Sequence, residues 1–185
     1  MVRASLVVLV AGTASAQPDM LITVDNVAGD DWSISAEFLS SLPGPLVQLW
    51  IDASFELTGD GSTIAFTEYN PAYDTTLGPA QVVNGPTASF IGNSNAFFGT
   101  PDPSNPLFVA NFDYDGAFDD IRLTLVGQNS FFAEGGGFDG IFRLYQDAQG
   151  NPGELTWDVV YIPAPGSLAL APVALMATRR SRKET

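Results

Sequence analysis

The stretch Val47-Gln-Leu-Trp-Ile-Asp-Ala-Ser-Phe-Glu-Leu-Thr58 shows the clearest alternation of apolar and polar residues in the chain. One face carries Val47, Leu49, Ile51, Ala53, Phe55 and Leu57. The other face carries Gln48, Trp50, Asp52, Ser54, Glu56 and Thr58. Because successive side chains of a β-strand point to opposite faces, this pattern predicts a half-buried strand of an antiparallel sheet.

Weaker alternation of the same period recurs along the chain, and no amphipathic helix of ten residues or more is evident. Gly59-Asp60-Gly61 follows the long strand as a hairpin signal, and the turn residues of 147–153 mark another turn. The predicted strands are residues 21–25, 32–39, 47–58, 63–69, 87–91, 107–114, 121–126, 141–146 and 155–162. The sequence therefore predicts an all-β fold, an antiparallel β-sandwich or jelly roll of about eight or nine strands.

Residues 70–106 fit this scheme poorly. The segment contains six prolines and four glycines, and only residues 87–91 have the character of a strand. Long loops are uncommon in compact domains and often have a function. Two interpretations stay open here, a functional loop and an extended crossover at the edge of a sheet.

The N-terminus has the features of a secretory signal peptide. Met1-Val2-Arg3 is a short cationic region, residues 4–12 are apolar, and Ala14-Ser15-Ala16 is a small-x-small cleavage site. We therefore expect residues 1–16 to be removed and the mature chain to begin at Gln17. This leaves residues 17–162 as one domain, followed by the C-terminal tail of residues 163–185.

The tail joins an extended hinge, an apolar run and a basic end. Pro163-Ala164-Pro165 cannot continue a helix, so we expect an exposed joint. Residues 166–177 form the apolar run, which we expect to be helical in a membrane. The basic residues that keep the tail end cytoplasmic are Arg179, Arg180, Arg182 and Lys183.

This tail resembles the bacterial PEP-CTERM sorting signal, in which a Pro-Glu-Pro motif, a transmembrane run and an Arg-rich end are recognised by an exosortase. The match lies in Pro163 and Pro165, the apolar run and the basic end, while Ala164 stands where the family has Glu. The resemblance implies export, tethering to the membrane by the tail alone, and processing at the cell surface by an exosortase-like enzyme. It implies nothing about the fold or the ligand of residues 17–162.

Charge and composition exclude several classes of function. Residues 17–162 carry twenty acidic side chains and two basic ones, Arg122 and Arg143, so the net charge of this segment is −18. Such a surface repels nucleic acid and anionic lipid and attracts cations. The chain has no cysteine and no histidine, and residues 17–162 have no lysine. A serine nucleophile would therefore lack its usual bases. We expect no enzyme, with a carboxylate-based glycosidase as the alternative.

The acidic run Asn111-Phe-Asp-Tyr-Asp-Gly-Ala-Phe-Asp-Asp120 resembles the first half of an EF-hand calcium loop. A glycine, Gly116, follows three oxygen-bearing residues at alternating positions, as a sharp turn around Ca²⁺ requires. Position 12 is Arg122 where an EF-hand has Glu, and no helices flank the run, so an EF-hand proper is excluded. The candidate calcium ligands are Asn111, Asp113, Asp115, Asp119 and Asp120. The alternative is a plain Asp-Gly turn that water solvates.

Trp50 lies on the polar face of the long predicted strand. An exposed aromatic ring on a β-sandwich can stack on a sugar, and the neighbouring Asp52 and Glu56 could accept hydrogen bonds from sugar hydroxyls. The alternative is that a loop or a second layer covers Trp50. Trp32 and Trp157 are expected at core or edge positions.

Taken together, these patterns predict a secreted bacterial protein that is sorted to the cell envelope and has a structural or adhesive role in the extracellular matrix or at the cell surface. The alternative is a carbohydrate-binding module, with Ca²⁺ as its one candidate cofactor. The expected partners are the export machinery, the exosortase-like enzyme and an extracellular polysaccharide.

Overall fold

A computed structural model describes residues 17–39, 47–60, 63–74, 78–94, 106–134, 141–146, 149, 151–153 and 155–165. Eleven strands lie within these ranges, with one 3-10 turn at Pro71–Tyr73. The strands are β1 (Met20–Ala28), β2 (Asp31–Phe38), β3 (Val47–Thr58), β4 (Ala65–Tyr69), β5 (Gln81–Val83), β6 (Thr87–Asn93), β7 (Leu107–Asp113), β8 (Arg122–Leu125), β9 (Asn129–Glu134), β10 (Ile141–Gln146) and β11 (Trp157–Ile162).

The strands form two sheets. Sheet A has the order β11-β1-β2-β7-β4, and sheet B has the order β10-β9-β3-β6-β5 with β8 also paired to β3. The apolar residues of both sheets join in one buried core. The predicted all-β sandwich is therefore confirmed. All nine predicted strands are present, and the sequence missed β5 and β9.

The long strand β3 is the centre of sheet B. Its residues Ile51, Ala53, Phe55 and Leu57 are buried, as the alternation predicts. The Phe55 ring stacks on Phe90 with 5.2 Å between ring centroids. Along its other edge, β3 pairs first with β9 through residues 47–52 and then with β8 through residues 55–58. One long strand thus holds two shorter ones end to end.

Two connections differ from the sequence expectation. Gly59-Asp60-Gly61 does not lead into a hairpin, because β4 pairs with β7 in sheet A while β3 belongs to sheet B. The turn residues signal a change of direction but do not say which sheet the next strand joins. Within residues 70–106, β5 and β6 form an antiparallel pair at the edge of sheet B, so the strand predicted at residues 87–91 is joined by a second one at Gln81–Val83.

One strand pair is parallel, whereas the sequence predicts an antiparallel sandwich. β11 lies beside β1, with Met20 opposite Trp157 and Asp25 opposite Ile162. The first and last strands of the domain are therefore neighbours that run in the same direction. Local alternation could not reveal this, because a half-buried strand has the same period in either pairing.

The two sides of the sandwich are closed in different ways. On the first seam, Ile64 and Gly85 exchange two backbone hydrogen bonds of 2.9 and 3.0 Å between the sheets, and the Phe66 amide donates to Asn84 Oδ1. On the second seam, β11 and β8 meet through a side chain. The Leu123 amide donates a hydrogen bond of 2.8 Å to the Tyr161 hydroxyl.

The predicted signal peptide at residues 1–16 and the apolar and basic parts of the tail lie outside the described residues. This places Ala14, Ala16, Arg179, Arg180, Arg182 and Lys183 beyond the structural description. Within the described ranges, no helix is long and apolar enough to cross a membrane.

Candidate functional site

The acidic run begins on β7, which lies between β2 and β4 in sheet A. Phe112 and Tyr114 point into the core, whereas Asp113 and Asp115 are exposed. Asp119 and Asp120 are exposed in the turn that follows. Asn111 donates its side-chain amide to Glu68 Oε2 at 3.0 Å. No group of three or more carboxylates in the described part of the chain is placed to hold a metal ion. Calcium binding at this run stays a prediction.

The glycine that suggested a calcium loop has a different role. Gly116 does not have a positive φ, so the turn does not depend on the conformational freedom of glycine. Its Cα lies against the Tyr114 ring, and a Cβ there would collide with the tyrosine hydroxyl. A Cβ on Gly59 would come within 2.5 Å of the same ring. Both glycines therefore make room for Tyr114, whose hydroxyl hydrogen bonds to Asp60.

Trp50 is fully buried, so the exposed stacking platform considered for a sugar is absent. The reason is a β-bulge. Trp50 is opposite Phe131 and Asp52 is opposite Ser130, so Ile51 is an extra residue in β3. A bulge shifts the alternation by one residue and thereby turns a side chain to the other face. Trp50 packs in the core with its ring centroid 5.8 Å from that of Phe55.

Asp52 is the centre of a polar network on the outward side of sheet B. Its Oδ1 accepts a hydrogen bond of 2.5 Å from the Asn93 side chain, and its Oδ2 accepts one of 3.0 Å from Gln128. The Ser130 hydroxyl also donates to Oδ2. Three neutral donors, one on β6 and two within residues 128–130, thus orient one half-buried carboxylate. The sequence singled out Asp52, but Asn93, Gln128 and Ser130 carry no local signal that marks them as its partners.

Glu56 lies on the same outward face of β3, two residues beyond Ser54. Its cross-strand neighbours are Ser89 on β6 and Thr124 on β8. The structure therefore places Asp52 and Glu56 on one surface, as the alternation predicts, but Trp50 does not belong to it. The surroundings of Glu56 are small hydroxyl side chains.

A buried asparagine joins the two short strands to β3. Asn129 accepts a hydrogen bond from the Ser54 amide at 2.9 Å and donates to the Ser54 and Val126 carbonyls at 2.9 and 3.0 Å. The primary amide acts as a substitute peptide group where β8 ends and β9 begins. Sequence reasoning missed this residue, because an Asn two residues after a glycine is typical of an ordinary turn.

The outward faces of the two sheets differ in charge. We call the outward side of sheet A face A and that of sheet B face B. The described side chains of face A include six carboxylates and no basic residue: Asp25, Asp31, Glu37, Glu68, Asp113 and Asp158. The described side chains of face B include two carboxylates, Asp52 and Glu56, and one cation, Arg122. Among the described side chains, face B is therefore nearly neutral, although the domain as a whole is strongly acidic.

Face B also carries exposed aliphatic side chains. Val83 is 58% exposed and Ile91 is 50% exposed. Val83 is opposite Ser89 and Gln81 is opposite Ile91, so the two aliphatic residues are diagonal neighbours on β5 and β6. Around them lie serine, threonine, glutamine and asparagine. Depletion of charge around aliphatic side chains is the composition that distinguishes the centre of protein interfaces from the remaining surface.

The first residues of the tail continue directly from β11. Pro165 is exposed, but Pro163 and Ala164 are half-buried, so the joint is less open than the sequence predicts. No described contact bears on recognition of this motif by an exosortase.

No protein-family model matches the chain, and no curated protein matches it. Two solved structures resemble it in backbone. One is the sixth cohesin of scaffoldin B from Acetivibrio cellulolyticus, solved with a mutant Cel5 dockerin; it has 11% identity and a TM-score of 0.35, with 80% of this chain and 97% of that chain covered. The other is a type I cohesin in the Coh-OlpC-Doc435 complex from Clostridium thermocellum, with 10% identity, a TM-score of 0.34 and coverage of 83% and 99%. At this level the resemblance assigns no partner to this chain.

Proposed function

We propose that residues 17–162 form a non-catalytic adhesive or structural module that is exported, sorted to the cell envelope and held in or on the extracellular matrix. The sequence supports export and sorting through residues 1–16 and 163–185. One structural observation supports adhesion: the described side chains of face B are nearly neutral in a domain whose net charge is strongly negative. A neutral face allows close approach to another surface without the repulsion that face A would cause.

The adhesive role predicts that contact is made through face B. The test compares retention of the exported protein on matrix-covered cells of the source organism with retention of two variants. Ile91→Glu places a charge on β6 beside the exposed aliphatic side chains of face B, and Val160→Glu places the same charge at an exposed β-branched position, 40% exposed, on face A. We expect Ile91→Glu to lose most of the retention and Val160→Glu to keep it. Equal behaviour of the two variants would overturn the assignment of face B.

Sorting is tested separately from adhesion. We expect the mass of the exported protein to correspond to a start at Gln17 and an end near residues 163–166. Replacement of Arg179, Arg180, Arg182 and Lys183 by neutral residues should cause mis-sorting, because the basic end sets the topology. Recovery of the intact 185-residue chain from the cytoplasm alone would contradict the proposed export.

Carbohydrate binding is a second candidate, and the Asp52 network is the observation that favours it. A carboxylate held in place by Asn93, Gln128 and Ser130 presents oriented acceptors and amides to the hydroxyl groups of a glycan. An uncharged glycan fits best, because an anionic one would be repelled by the domain. Titration calorimetry with neutral and anionic polysaccharides should show heat only with the neutral class, and Asp52→Asn should weaken it. Absence of binding to the neutral class would remove this candidate.

A further inference from the structure

The first and last strands of the domain have a geometry suited to mechanical load. The mature chain is expected to begin at Gln17, three residues before β1, and the tail leaves directly after β11 at Pro163. Because β1 and β11 are parallel neighbours, the two chain ends emerge from opposite ends of one strand pair. The pair spans six residues of matched register, which is about 20 Å.

Parallel pairing decides how a pulling force is distributed. Drawing the two chain ends apart slides β11 past β1, so the hydrogen bonds between them are stretched together. Pulling at the same end of both strands would instead break them one after another. The evenly spaced bonds of a parallel pair share a sliding load.

Contacts at both ends of β11 resist this sliding. At its start, Asp19 and Thr156 form a clasp: the Asp19 amide donates to the Thr156 carbonyl and hydroxyl at 3.0 Å each. The Thr156 amide and hydroxyl donate in return to Asp19 Oδ2 at 3.0 and 2.8 Å. Near its end, Tyr161 accepts from the Leu123 amide, and the Arg122 guanidinium lies 5.9 Å from the centre of the Tyr161 ring.

We propose that the β1–β11 pair, with the Asp19–Thr156 clasp and the Tyr161 contacts of the second seam, is a mechanical clamp that carries load from the C-terminal tail into the domain. This inference rests on the proposed function, because load arises only where the tail is anchored while the domain is held by its surroundings. The first seam, at Ile64 and Gly85, lies outside this path.

The test is single-molecule force spectroscopy on the full-length chain in two pulling directions. The chain has no cysteine, so two introduced cysteines are the sole attachment points. Gln17→Cys with Gly166→Cys pulls β1 and β11 in opposite directions. Asp30→Cys with Gly166→Cys pulls at the same end of both strands, because Asp30 lies in the turn just after β1. We expect the unfolding force in the first direction to be roughly twice that in the second or more, since forced unfolding reports the barrier along the pulled path.

Variants identify the contacts that carry the force. Thr156→Val removes the hydroxyl of the clasp, and Tyr161→Phe removes the acceptor for the Leu123 amide. Both should lower the force between positions 17 and 166. Asn84→Ala on the first seam should leave that force unchanged while lowering equilibrium stability. Equal forces in the two directions, or an equal loss in Asn84→Ala, would overturn the clamp. Should a variant fail to fold, the wild-type comparison of directions decides alone.

Failure of the clamp and failure of the proposed function are distinguishable. The force measurement uses purified chain and does not depend on sorting or adhesion. If the protein is not retained on cells but its unfolding force still depends on the pulling direction, only the adhesive role is refuted. If the protein is retained on cells but its unfolding force is the same in both pulling directions, only the clamp is refuted.

Discussion

Asp52 on face B and Asp113 on face A are both carboxylates on outward positions of interior strands, yet their surroundings are opposite. Three neutral side chains donate hydrogen bonds to Asp52. Asp113 lies directly across from Asp31, a second carboxylate, and from Ala65 on its other side. A carboxylate surrounded by donors links its strands, whereas like charges in opposite positions weaken the pairing. The position of an acidic residue in the fold, and not its type, decides whether it links neighbouring strands or weakens their pairing.

A substitution in the buried core layer beneath face B should cause the largest loss of stability. Phe55 is fully buried and contacts the rings of Phe90, Trp50 and Phe66. Phe55→Ala should lower the free energy of unfolding by about 3–5 kcal/mol, the usual result of emptying a large core site. Denaturant melts measure this, with Ser54→Ala on the same strand as the control of small effect. The reverse ranking would mean that the register of β3 is wrong by one residue.

The Asn129 side chain should come next, because it completes the sheet beneath the Asp52 network. Asn129→Ala leaves the buried amide of Ser54 without its acceptor and should cost about 2–3 kcal/mol. Thermal or urea melts give the value. Asn93→Ala, at an exposed position of β6 in the same sheet, is the matched control and should cost clearly less. A loss in Asn129→Ala no greater than the control's would contradict the peptide-like role.

Neutralising the two compared carboxylates should change stability in opposite directions. Asp52→Asn should destabilise by about 1 kcal/mol, because hydrogen bonds to a charged acceptor are weakened and the site is half open to solvent. Asp113→Asn should stabilise by about 0.2–1 kcal/mol, since it removes the opposition to Asp31. Melts at low and moderate salt test this, and the gain from Asp113→Asn should shrink as salt screens the pair. Changes of the same sign would refute the comparison.

Divalent cations test whether the carboxylates of face A and of the turn after β7 only repel one another or also bind Ca²⁺. If the acids are merely crowded, CaCl₂ and MgCl₂ at equal millimolar concentration should raise the melting temperature by the same small amount relative to EGTA. A rise specific to Ca²⁺ that disappears in the double variant Asp113→Asn/Asp115→Asn would instead establish the predicted calcium site.

The smallest effect on stability should appear only at alkaline pH, where tyrosine side chains ionise. Burial raises the pKa of Tyr114, with the Asp60 carboxylate adding to the rise, and the hydrogen bond to Asp74 raises the pKa of Tyr69. A folded-state pKa above the unfolded value near 10 gives stability that is fully present below pH 10 and is lost as pH rises through the folded value. Tyr114→Phe should therefore flatten the fall of stability above pH 10. An unchanged alkaline slope in both Tyr114→Phe and Tyr69→Phe would show that other groups cause it.

The amino-acid sequence by itself determined the location of nine of the eleven described strands and the inward position of Ile51, Ala53, Phe55 and Leu57, because alternation is a property of consecutive residues. It also determined the strong negative charge and the lack of histidine and cysteine. These features follow from composition or from spacing within one segment, so they need no knowledge of distant contacts.

Only the tertiary structure decided which strands are neighbours and what the polar residues touch. It paired β11 in parallel with β1, sent the chain after Gly59 into the other sheet, and turned Trp50 inward through the bulge at Ile51. It also assigned Gly116 to the space beneath Tyr114 and Asn129 to the backbone of Ser54. Each of these depends on residues that are distant in sequence, and a bulge or a crossover changes the partner of a side chain without changing the local pattern that precedes it.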